Sequence, residues 1–504
     1  MEFFVEAVGI LLSPISVIFL ISGVAAGILV GAIPGLTSTI AIGLLIPFTF
    51  GLTKYDAFIL LLGIYCGSMY GGAIPAVMMN LPGTPTAAVT AIDGYRMMRK
   101  GEGARALSIS LIASVAGGLI SCVFLIFLSL QLAPVATAFA APEYFALCVF
   151  ALVVVLSMTS SSVLKGFLAT CAGLLVTAIG IDPVTPFPRY TFGVQELMIG
   201  VPEVPATIGL FCVAEAFRLI GPQDGALSPL QRLRLTYSGA MRDLVALWRT
   251  IIRSSVIGTG VGILPGTGAM VASLIAYGEE KRVSKKPETF GQGSPEGVAA
   301  SEAANNAVTG GCLIPMMTLG IPGDTNTLML LGAMLVHGLI PGPALFREEV
   351  TLVHVIFMTM ILANLVILVL GVQCASLFAR VTEIDKRYLV PAILVLSITG
   401  PAISEGHIYY FWITIVFGFI GYIMDRQGYP VIAFAMGIVL GPILERNLRA
   451  ALMLPESTSE IFLMRPICAG LFAVAAAVLI YSIKKEIQTR RKTSDATVPD
   501  ANLS

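Results

Sequence analysis

Hydroxyl and amide side chains follow closely on Pro-Gly pairs at four places in the chain. Proline removes a backbone donor and glycine permits turns that other residues resist, so each pair predicts a break in a helix. We assign the residues of these four breaks to a candidate site for a substrate or an ion. They are Pro34, Gly35, Thr37, Ser38, Asn80, Pro82, Gly83, Thr84, Thr86, Pro265, Gly266, Thr267, Gly268, Pro322, Gly323, Asp324, Thr325 and Asn326.

The four breaks contain no lysine or arginine. An anion could still bind there, because the N-terminus of a helix offers unpaired N–H groups and the positive end of the helix dipole. The hydroxyls would add hydrogen bonds, and together with carbonyls freed by the break they could coordinate Na⁺. The alternative role of these hydroxyls is N-capping, which does not exclude binding.

Acidic and amide residues in the second half of the chain extend this set. Asp324 is the acid that we expect at membrane depth, as a cation ligand or proton carrier or as a helix cap. Asn305 and Asn306 join the candidate site. Glu302 lies four residues before Asn306, on the same helical face, where either ion binding or close helix packing would explain it.

The remaining composition argues against enzymes and metal centres. Eight cysteines lie scattered without a C-x-x-C pair, and only three histidines occur. No paired acids or nucleophile with a base can be recognised, and no G-x-x-x-x-G-K-[ST] motif for ATP occurs. The net charge is zero, so no global field attracts nucleic acid. We therefore expect no catalytic residue, no metal and no cofactor, with Na⁺ or H⁺ as a coupling ion.

The elements that carry these residues are expected to be membrane helices. Of the 504 residues, 56% are hydrophobic and only 12% are charged, and the mean hydropathy is +0.90. Soluble domains carry about 25% charged residues. Apolar runs of about 20 residues, the length that spans a bilayer, recur along the chain. The sequence predicts an all-α, polytopic bundle of about ten to thirteen transmembrane spans.

The four breaks form two ordered pairs, which indicates an internal duplication. Pro265 follows Pro34 by 231 residues, and Pro322 follows Pro82 by 240. The longer hydrophilic loop of the second half explains the difference of nine. We expect a first repeat at 1–220, a basic cytoplasmic linker at 221–252, a second repeat at 253–485 and a disordered cytoplasmic tail at 486–504.

Lysine and arginine clusters predict the orientation, since they mark the cytoplasmic side. Their positions favour an outer N-terminus and an inner C-terminus, although Arg446, Arg449 and Arg465 would then lie outside. The two repeats would have opposite orientations. Inverted repeats with helices broken at matching places are typical of secondary transporters, whose substrate site lies at the breaks.

Several motifs together resemble those of one family. They are Gly31-Ala-Ile-Pro34-Gly35, Met79-Asn80-Leu-Pro82-Gly83-Thr84, Gly262-Ile-Leu-Pro265-Gly266-Thr-Gly268, Glu302-Ala-Ala-Asn305-Asn306-Ala and Thr318-Leu-Gly-Ile-Pro322-Gly323. The chain resembles the large membrane subunit of tripartite tricarboxylate transporters, from about residue 14 to the last span. The resemblance implies an ion-gradient-driven importer of citrate-like or related carboxylates in a bacterial inner membrane. It also implies two partners, a small membrane subunit and a periplasmic solute-binding protein.

Two other hypotheses remain at this point. A stand-alone ion-coupled transporter or channel for another organic anion would work without a binding protein. A membrane-embedded enzyme would need a cluster of catalytic side chains at membrane depth.

Overall fold

The computed structural model describes residues 2–159, 162–182, 185–220, 237–381, 386–454 and 461–496. These residues are almost entirely helical. The strands among them are β1 (Gly180–Ile181) and β2 (Pro188–Arg189), which pair antiparallel. The all-α prediction is confirmed.

The helices up to the linker carry the first two breaks. They are α1 (Glu2–Leu11), α2 (Pro14–Ala32), α3 (Ser38–Thr49), α4 (Lys54–Gly71), α5 (Ala73–Met79), α6 (Ala88–Arg99), α7 (Gly103–Ala136), α8 (Ala141–Thr159), α9 (Val163–Thr177), α10 (Glu203–Ile208) and α11 (Ala214–Leu219). Short 3₁₀ turns lie at Pro85–Ala87 and Glu196–Ile199, and a π-helical turn, Gly209–Val213, joins α10 to α11.

The helices after the linker carry the other two breaks. They are α12 (Tyr237–Ile263), α13 (Gly268–Val283), α14 (Pro295–Leu319), α15 (Thr325–Val336), α16 (Pro343–Glu348), α17 (Val350–Val381), α18 (Lys386–Glu405), α19 (Ile408–Arg426), α20 (Val431–Leu452), α21 (Ile461–Met464) and α22 (Pro466–Ala496). A 3₁₀ turn, Pro287–Thr289, lies between α13 and α14.

Nine helices within the described ranges are long and apolar enough to cross a membrane. Four shorter apolar helices, among them α3 and α15, fall below that length. Each of these two has 12 residues, which at 1.5 Å per residue reaches about 18 Å, well short of a hydrocarbon core of about 30 Å. The chain is a polytopic helical membrane protein, and its shortest apolar helices are those that start at breaks.

The helices belong to two compact units. One unit comprises residues 1–137 and 204–422, and the other comprises 138–203 and 423–504. All four breaks lie in the first unit. Each unit combines segments from both halves of the sequence, so these units are a different division from the two predicted repeats, which stay a prediction.

The predicted segment boundaries can be compared with the helices. Residues 221–236 of the linker lie outside the described residues, while 237–252 belong to α12. At the C-terminus α22 continues past residue 485 as far as Ala496, and residues 497–504 lie outside the described residues.

Capping side chains explain where several helices begin and end. Ser13 accepts a hydrogen bond from Ser16 N ahead of α2, and Ser294 accepts one from Gly297 N ahead of α14. Each of these caps is followed by a proline, which suits the first helical position because its missing N–H would have no partner there.

The same backbone contacts recur in the two halves of the first unit. A Cβ on Gly27 of α2 would meet the Ile64 carbonyl of α4, and one on Gly258 of α12 would meet the Ala304 carbonyl of α14. Gly258 follows Gly27 by 231 residues and Ala304 follows Ile64 by 240, which are the two offsets found between the breaks. Glycine therefore permits the same close helix approach in both halves, as expected of a duplicated unit.

The second unit contains a cluster of ion pairs. Arg449 Nη1 lies 2.9 Å from Asp182 Oδ2, and Arg449 Nη2 lies 2.7 Å from Glu445 Oε1. Arg465 Nη1 lies 2.9 Å from Glu143 Oε1. Arg449 and Arg465 are two of the arginines that oppose the predicted orientation. Their carboxylate partners neutralise them, so they carry less free positive charge than the sequence suggests.

Candidate functional site

The first two breaks lie against each other. After Pro34-Gly35 the chain enters α3, and after Pro82-Gly83 it enters the 3₁₀ turn that precedes α6. Gly83 N donates to Gly72 O at 3.2 Å. A Cβ on Gly83 would strike the Gly31 carbonyl, three residues before Pro34. Only glycine permits this approach, so the two Pro-Gly turns of the first half form one structural unit.

The third and fourth breaks also lie against each other. Gly266 N donates to Gly323 O at 2.7 Å. A Cβ on Gly323 would lie 2.7 Å from the Gly262 carbonyl, three residues before Pro265. Gly262 and Gly323 are the counterparts of Gly31 and Gly83 at the same two offsets. The same close approach of a glycine to a carbonyl therefore joins the Pro-Gly turns in both halves.

The breaks also meet across the two halves, and the contacts are reciprocal. Helix α3, which follows the first break, packs on α15, which follows the fourth. Helix α13, which follows the third break, packs on α6 and on the 3₁₀ turn before it, which follow the second. Such an exchange of partners is the pattern of two copies related by a two-fold axis. It brings all four helix starts into one unit of the protein.

A polar cluster lies where the N-termini of α3 and α15 meet. The Thr39 hydroxyl donates to Asn326 Oδ1 at 2.8 Å and lies 2.9 Å from the Thr325 hydroxyl. Asn326 Nδ2 in turn donates to Asp324 Oδ2 at 2.9 Å. The start of α15 thus meets Thr39 of the first half, with Ser38 buried in the first turn of α3.

Asp324 acts as the N-cap of α15. Its Oδ1 accepts hydrogen bonds from Thr327 N at 2.8 Å and from the Thr327 hydroxyl at 2.7 Å. Its Oδ2 accepts from Asn326 and from the Tyr65 hydroxyl at 3.2 Å. The Thr327 hydroxyl also accepts from Asp324 N, which completes a capping box. The capping role weighed for Asp324 is therefore observed, while an ion-binding role stays a prediction.

The hydroxyls of the other breaks have varied partners. Thr37 caps α3 by accepting from Ile40 N at 3.4 Å. Thr267 donates to the carbonyls of Val261 and Leu264, which the break frees from helical bonding. The Thr84 and Thr86 hydroxyls lie 2.9 Å apart at the start of α6. Since one hydrogen bond joins them, one hydroxyl hydrogen of this pair remains available to a ligand within the described structure.

The three asparagines outside α15 occupy two different settings. Asn80 ends α5 in a left-handed conformation with φ of 57° and has an exposed side chain. Its counterpart Gly320 ends α14 with φ of 73°. Asn305 and Asn306 lie in the middle of α14 and are fully buried. The structure therefore does not place these two amides with the hydroxyls of the breaks.

Sequence reasoning missed Tyr65 as a partner of the candidate site. Tyr65 lies in α4 of the first half, fully buried, and its hydroxyl reaches Asp324 in the second half. The only available signal was the repeat itself, because Tyr65 stands 240 residues before Asn305. The pattern of apolar residues around Tyr65 is that of an ordinary membrane helix.

A polar cavity of about 320 Å³ lies in the second unit, lined by Gly180, Arg189, Gly200, Pro442 and Glu445, among others. Arg189 Nη1 lies 2.6 Å from Glu445 Oε1 and 3.4 Å from Asp182 Oδ2. These carboxylates take up the arginine's charge. None of the residues predicted to bind substrate lines this cavity.

Comparison with known proteins gives the family. The family model described as the tripartite tricarboxylate transporter TctA family matches residues 17–436. A relative from Agrobacterium vitis, an uncharacterized 52.8 kDa protein in the TAR-I ttuC' 3' region, is 36% identical over 480 residues, or 95% of each chain. No solved structure matches the chain.

A second relative from the same organism, an uncharacterized protein in the TAR-II ttuC' 3' region, is 33% identical over 234 residues. This match covers 46% of the present chain and 97% of the relative. Since the family model spans most of the residues and all four breaks, the chain belongs to the TctA family of tripartite tricarboxylate transporters.

Proposed function

We propose that the chain is the large membrane subunit of an ion-gradient-driven importer for tricarboxylates or related carboxylates, located in a bacterial inner membrane. Its partners would be a small membrane subunit and a periplasmic solute-binding protein. Membership of the family supports a transport role and the existence of partner proteins. The carboxylate, the coupling ion and the binding protein are part of the proposal.

The reciprocal meeting of the four broken helices carries this proposal. The helix starts meet in two crossed pairs, and each helix N-terminus presents unpaired N–H groups and a positive dipole end. Hydroxyl and amide groups accompany them, with no basic side chain in the motifs. Such a surface can bind a carboxylate by hydrogen bonds and release it, whereas a buried lysine or arginine pair would hold it more tightly.

Between the two crossed contacts, the Thr84–Thr86 side suits an anion better. Both oxygens of Asp324 already accept hydrogen bonds, so the carboxyl offers no donor to a substrate carboxylate. At the equivalent position of the first half stands Thr84, whose hydroxyl pairs with Thr86 and leaves one hydrogen available. We therefore expect a substrate carboxylate to contact Thr86 and the start of α6.

Duplicated halves also supply a means of moving the substrate. Two copies related by a two-fold axis can rock against each other around a site at their contact, which opens the site to one side at a time. The glycine contacts within each half hold its two Pro-Gly turns together as one body. The contacts between halves would then change during transport.

The test is uptake of labelled citrate into vesicles that carry this chain with a candidate small subunit. Uptake is measured with and without the periplasmic binding protein, and with and without a sodium or proton gradient. We expect uptake to require both the binding protein and a gradient. Uptake without the binding protein would favour the stand-alone transporter, the alternative that the sequence left open.

A pair of variants connects the uptake to the site. Thr86→Val removes one hydroxyl and should weaken apparent citrate affinity by roughly tenfold, as expected for a lost hydrogen bond. Thr399→Val is the control, because that exposed hydroxyl bonds only to Val395 O of its own helix. Equal uptake by both variants would remove Thr86 from the site. Related di- and tricarboxylates would follow if citrate itself is not taken up.

A further inference from the structure

A carboxyl group without a charge partner lies inside the helix bundle of the first unit. Glu302, in the middle of α14, has no exposed surface. Its Oε1 accepts a hydrogen bond from the Thr90 hydroxyl of α6. Its Oε2 has no hydrogen-bond partner among the described residues. Burying a carboxyl oxygen without a hydrogen-bond partner lowers the stability of the fold by several kcal/mol in order of magnitude. A ligand that binds this oxygen would offset that loss.

Two amide oxygens on the same helix are also without partners. Asn305 Nδ2 donates to Met69 O at 3.1 Å, and Asn306 Nδ2 donates to Ser114 O at 2.7 Å. Carbonyls only accept hydrogen bonds, so these contacts fix the orientation of both amides. The Oδ1 atoms of both asparagines therefore face elsewhere, and neither has a partner in the described part of the chain.

Hydroxyls from two neighbouring helices complete the cluster. Ser110 of α7 and Asn305 lie beside the Glu302 carboxyl, and Tyr70 of α4 is near enough to interact with its charge. Ser114 follows one turn after Ser110. The hydroxyls of Tyr70, Ser110 and Ser114 are fully buried, and within the described ranges none has a hydrogen-bond partner. Six buried oxygens on α4, α7 and α14 are thus left without a hydrogen-bond partner in the described part of the chain.

The chemistry of this cluster selects its ligand. A proton on Glu302 would satisfy that oxygen and one acceptor, whereas a cation can be coordinated by all the oxygens at once. A single carboxylate balances one positive charge. No group of three or more His, Cys, Asp or Glu that could hold a metal ion occurs among the described residues, which speaks against a transition metal.

We infer that Na⁺ binds between α4, α7 and α14, held by Glu302 Oε2, Asn305 Oδ1, Asn306 Oδ1 and the hydroxyls of Ser110, Ser114 and Tyr70. This inference rests on the proposed ion-driven transport and gives it a location. The site lies within one helix bundle, and the Thr90 hydroxyl in the first turn of α6 connects Glu302 to the helix start where we expect the carboxylate.

Comparison of the two halves indicates that the chain has one such site, in the second half. The counterparts of Glu302, Asn305 and Asn306 in α4 are Leu62, Tyr65 and Cys66. Leu62 has no oxygen, and Tyr65 donates its hydroxyl to Asp324. The first half therefore lacks the ligands of the second, and we expect one Na⁺ per chain at this place.

The test is equilibrium binding of radioactive sodium to the purified full-length chain in detergent, with potassium as the competing salt. The wild-type chain should bind Na⁺ saturably. Glu302→Gln should lower the affinity by roughly 10- to 100-fold, on the scale of losing a ligand interaction. Glu296→Gln is the matched control, a glutamate near the start of the same helix whose carboxyl bonds to Ser284, and should bind as the wild type does.

A second variant covers the case in which Glu302→Gln does not fold. Ser110→Ala removes one small hydroxyl and should weaken Na⁺ binding several-fold while the protein stays folded. Wild-type affinity in both variants would overturn the inference, and so would the absence of saturable sodium binding by the wild-type chain.

The outcome is separable from that of the proposed function, because binding requires neither substrate nor partner proteins. Citrate uptake that still depends on a sodium gradient in Glu302→Gln would overturn this site and leave the proposed function intact. Saturable sodium binding that Glu302→Gln abolishes, in a chain that takes up no carboxylate, would support the site and contradict the proposed function.

Discussion

In the first half of the chain α4 packs on α2, with Gly27 under the Ile64 carbonyl; in the second half α14 packs on α12, with Gly258 under the Ala304 carbonyl. The turn after each pair closes with the same hydrogen bond, from Leu81 N to Pro75 O and from Ile321 N to Pro315 O, at 3.4 and 3.3 Å. The two halves therefore share a backbone.

The side chains on this shared backbone differ. Where α4 carries Leu62, α14 carries Glu302, and where the first half has Thr84, the second has Asp324. A duplication, as the sequence predicts, would account for the broken helices and their crossed contacts. The later differences between the halves supply the chemistry, because a single carboxyl or hydroxyl changes what a site binds without changing the helix that presents it.

The sharpest way to break this comparison is to exchange residues between equivalent positions. Leu62 is 1% exposed, and Leu62→Glu would bury a carboxyl without the amides and serines that surround Glu302. We expect destabilisation of about 3–5 kcal/mol, the scale of an uncompensated buried charge, seen as loss of the monodisperse protein in size-exclusion chromatography. Leu62→Met is the control and should stay folded.

The reverse exchange, Glu302→Leu, should fold. In sodium-free buffer it should raise the stability by about 1–4 kcal/mol, since well-packed apolar groups often replace buried charges favourably, while uptake is lost. A thermal unfolding scan measures the first effect. Equal stability of Leu62→Glu and the wild type would show that the halves do not differ as described.

Substitutions at the shared contacts should act alike in both halves. Gly27→Ala and Gly258→Ala each place a Cβ against a backbone carbonyl of the neighbouring helix. Each should cost about 1–3 kcal/mol, the usual range for overpacking. In Gly260→Ala, the control in α12, the new Cβ meets nothing within 4 Å, and the higher helix propensity of alanine should stabilise the chain slightly. Unequal losses at Gly27 and Gly258 would contradict the shared packing.

The helix caps should respond differently in the two halves. Asp324→Ala removes the N-cap of α15 and should destabilise the protein by about 0.5–2 kcal/mol. The equivalent Thr84 makes no capping hydrogen bond and only one to Thr86, so Thr84→Ala should destabilise the protein less than Asp324→Ala, by about 0.5 kcal/mol. Thermal unfolding of both variants measures the difference, with Asp324→Asn as the control that keeps an accepting oxygen. A larger loss from Thr84→Ala would reverse the assignment.

The smallest effect on stability is expected at Asn80. Asn80→Gly makes this position identical to Gly320, and glycine adopts a φ of 57° without strain. Stability should change by less than about 0.5 kcal/mol, while citrate uptake should fall if the exposed amide contacts substrate, as we predict. Full uptake would leave Asn80 with a structural role only. Alanine is a poorer probe, because it would strain this left-handed turn.

The breaks themselves follow from the sequence, whereas their contacts within each half come from the tertiary structure. Pro-Gly pairs act on the backbone at their own positions, so their effect on helices is local and can be predicted. The capping role weighed for Asp324 is observed, while the burial of Asn305 and Asn306 inside α14 was not predicted. The grouping of all predicted residues into one site was not resolved, because Asn305 and Asn306 lie within α14 and not at a helix start.

By itself, the sequence determined that lipid is the solvent of this chain, that its helices are interrupted at four places and that its halves share a plan. Hydropathy, proline and glycine act through the length and continuity of a helix, which a single segment possesses. The tertiary structure alone decided that Thr39 meets Asn326, that Tyr65 reaches Asp324 and that Ser110 lies beside Glu302. Those contacts join residues up to 287 positions apart. They depend on how whole helices pack, and a local sequence pattern carries no information about that packing.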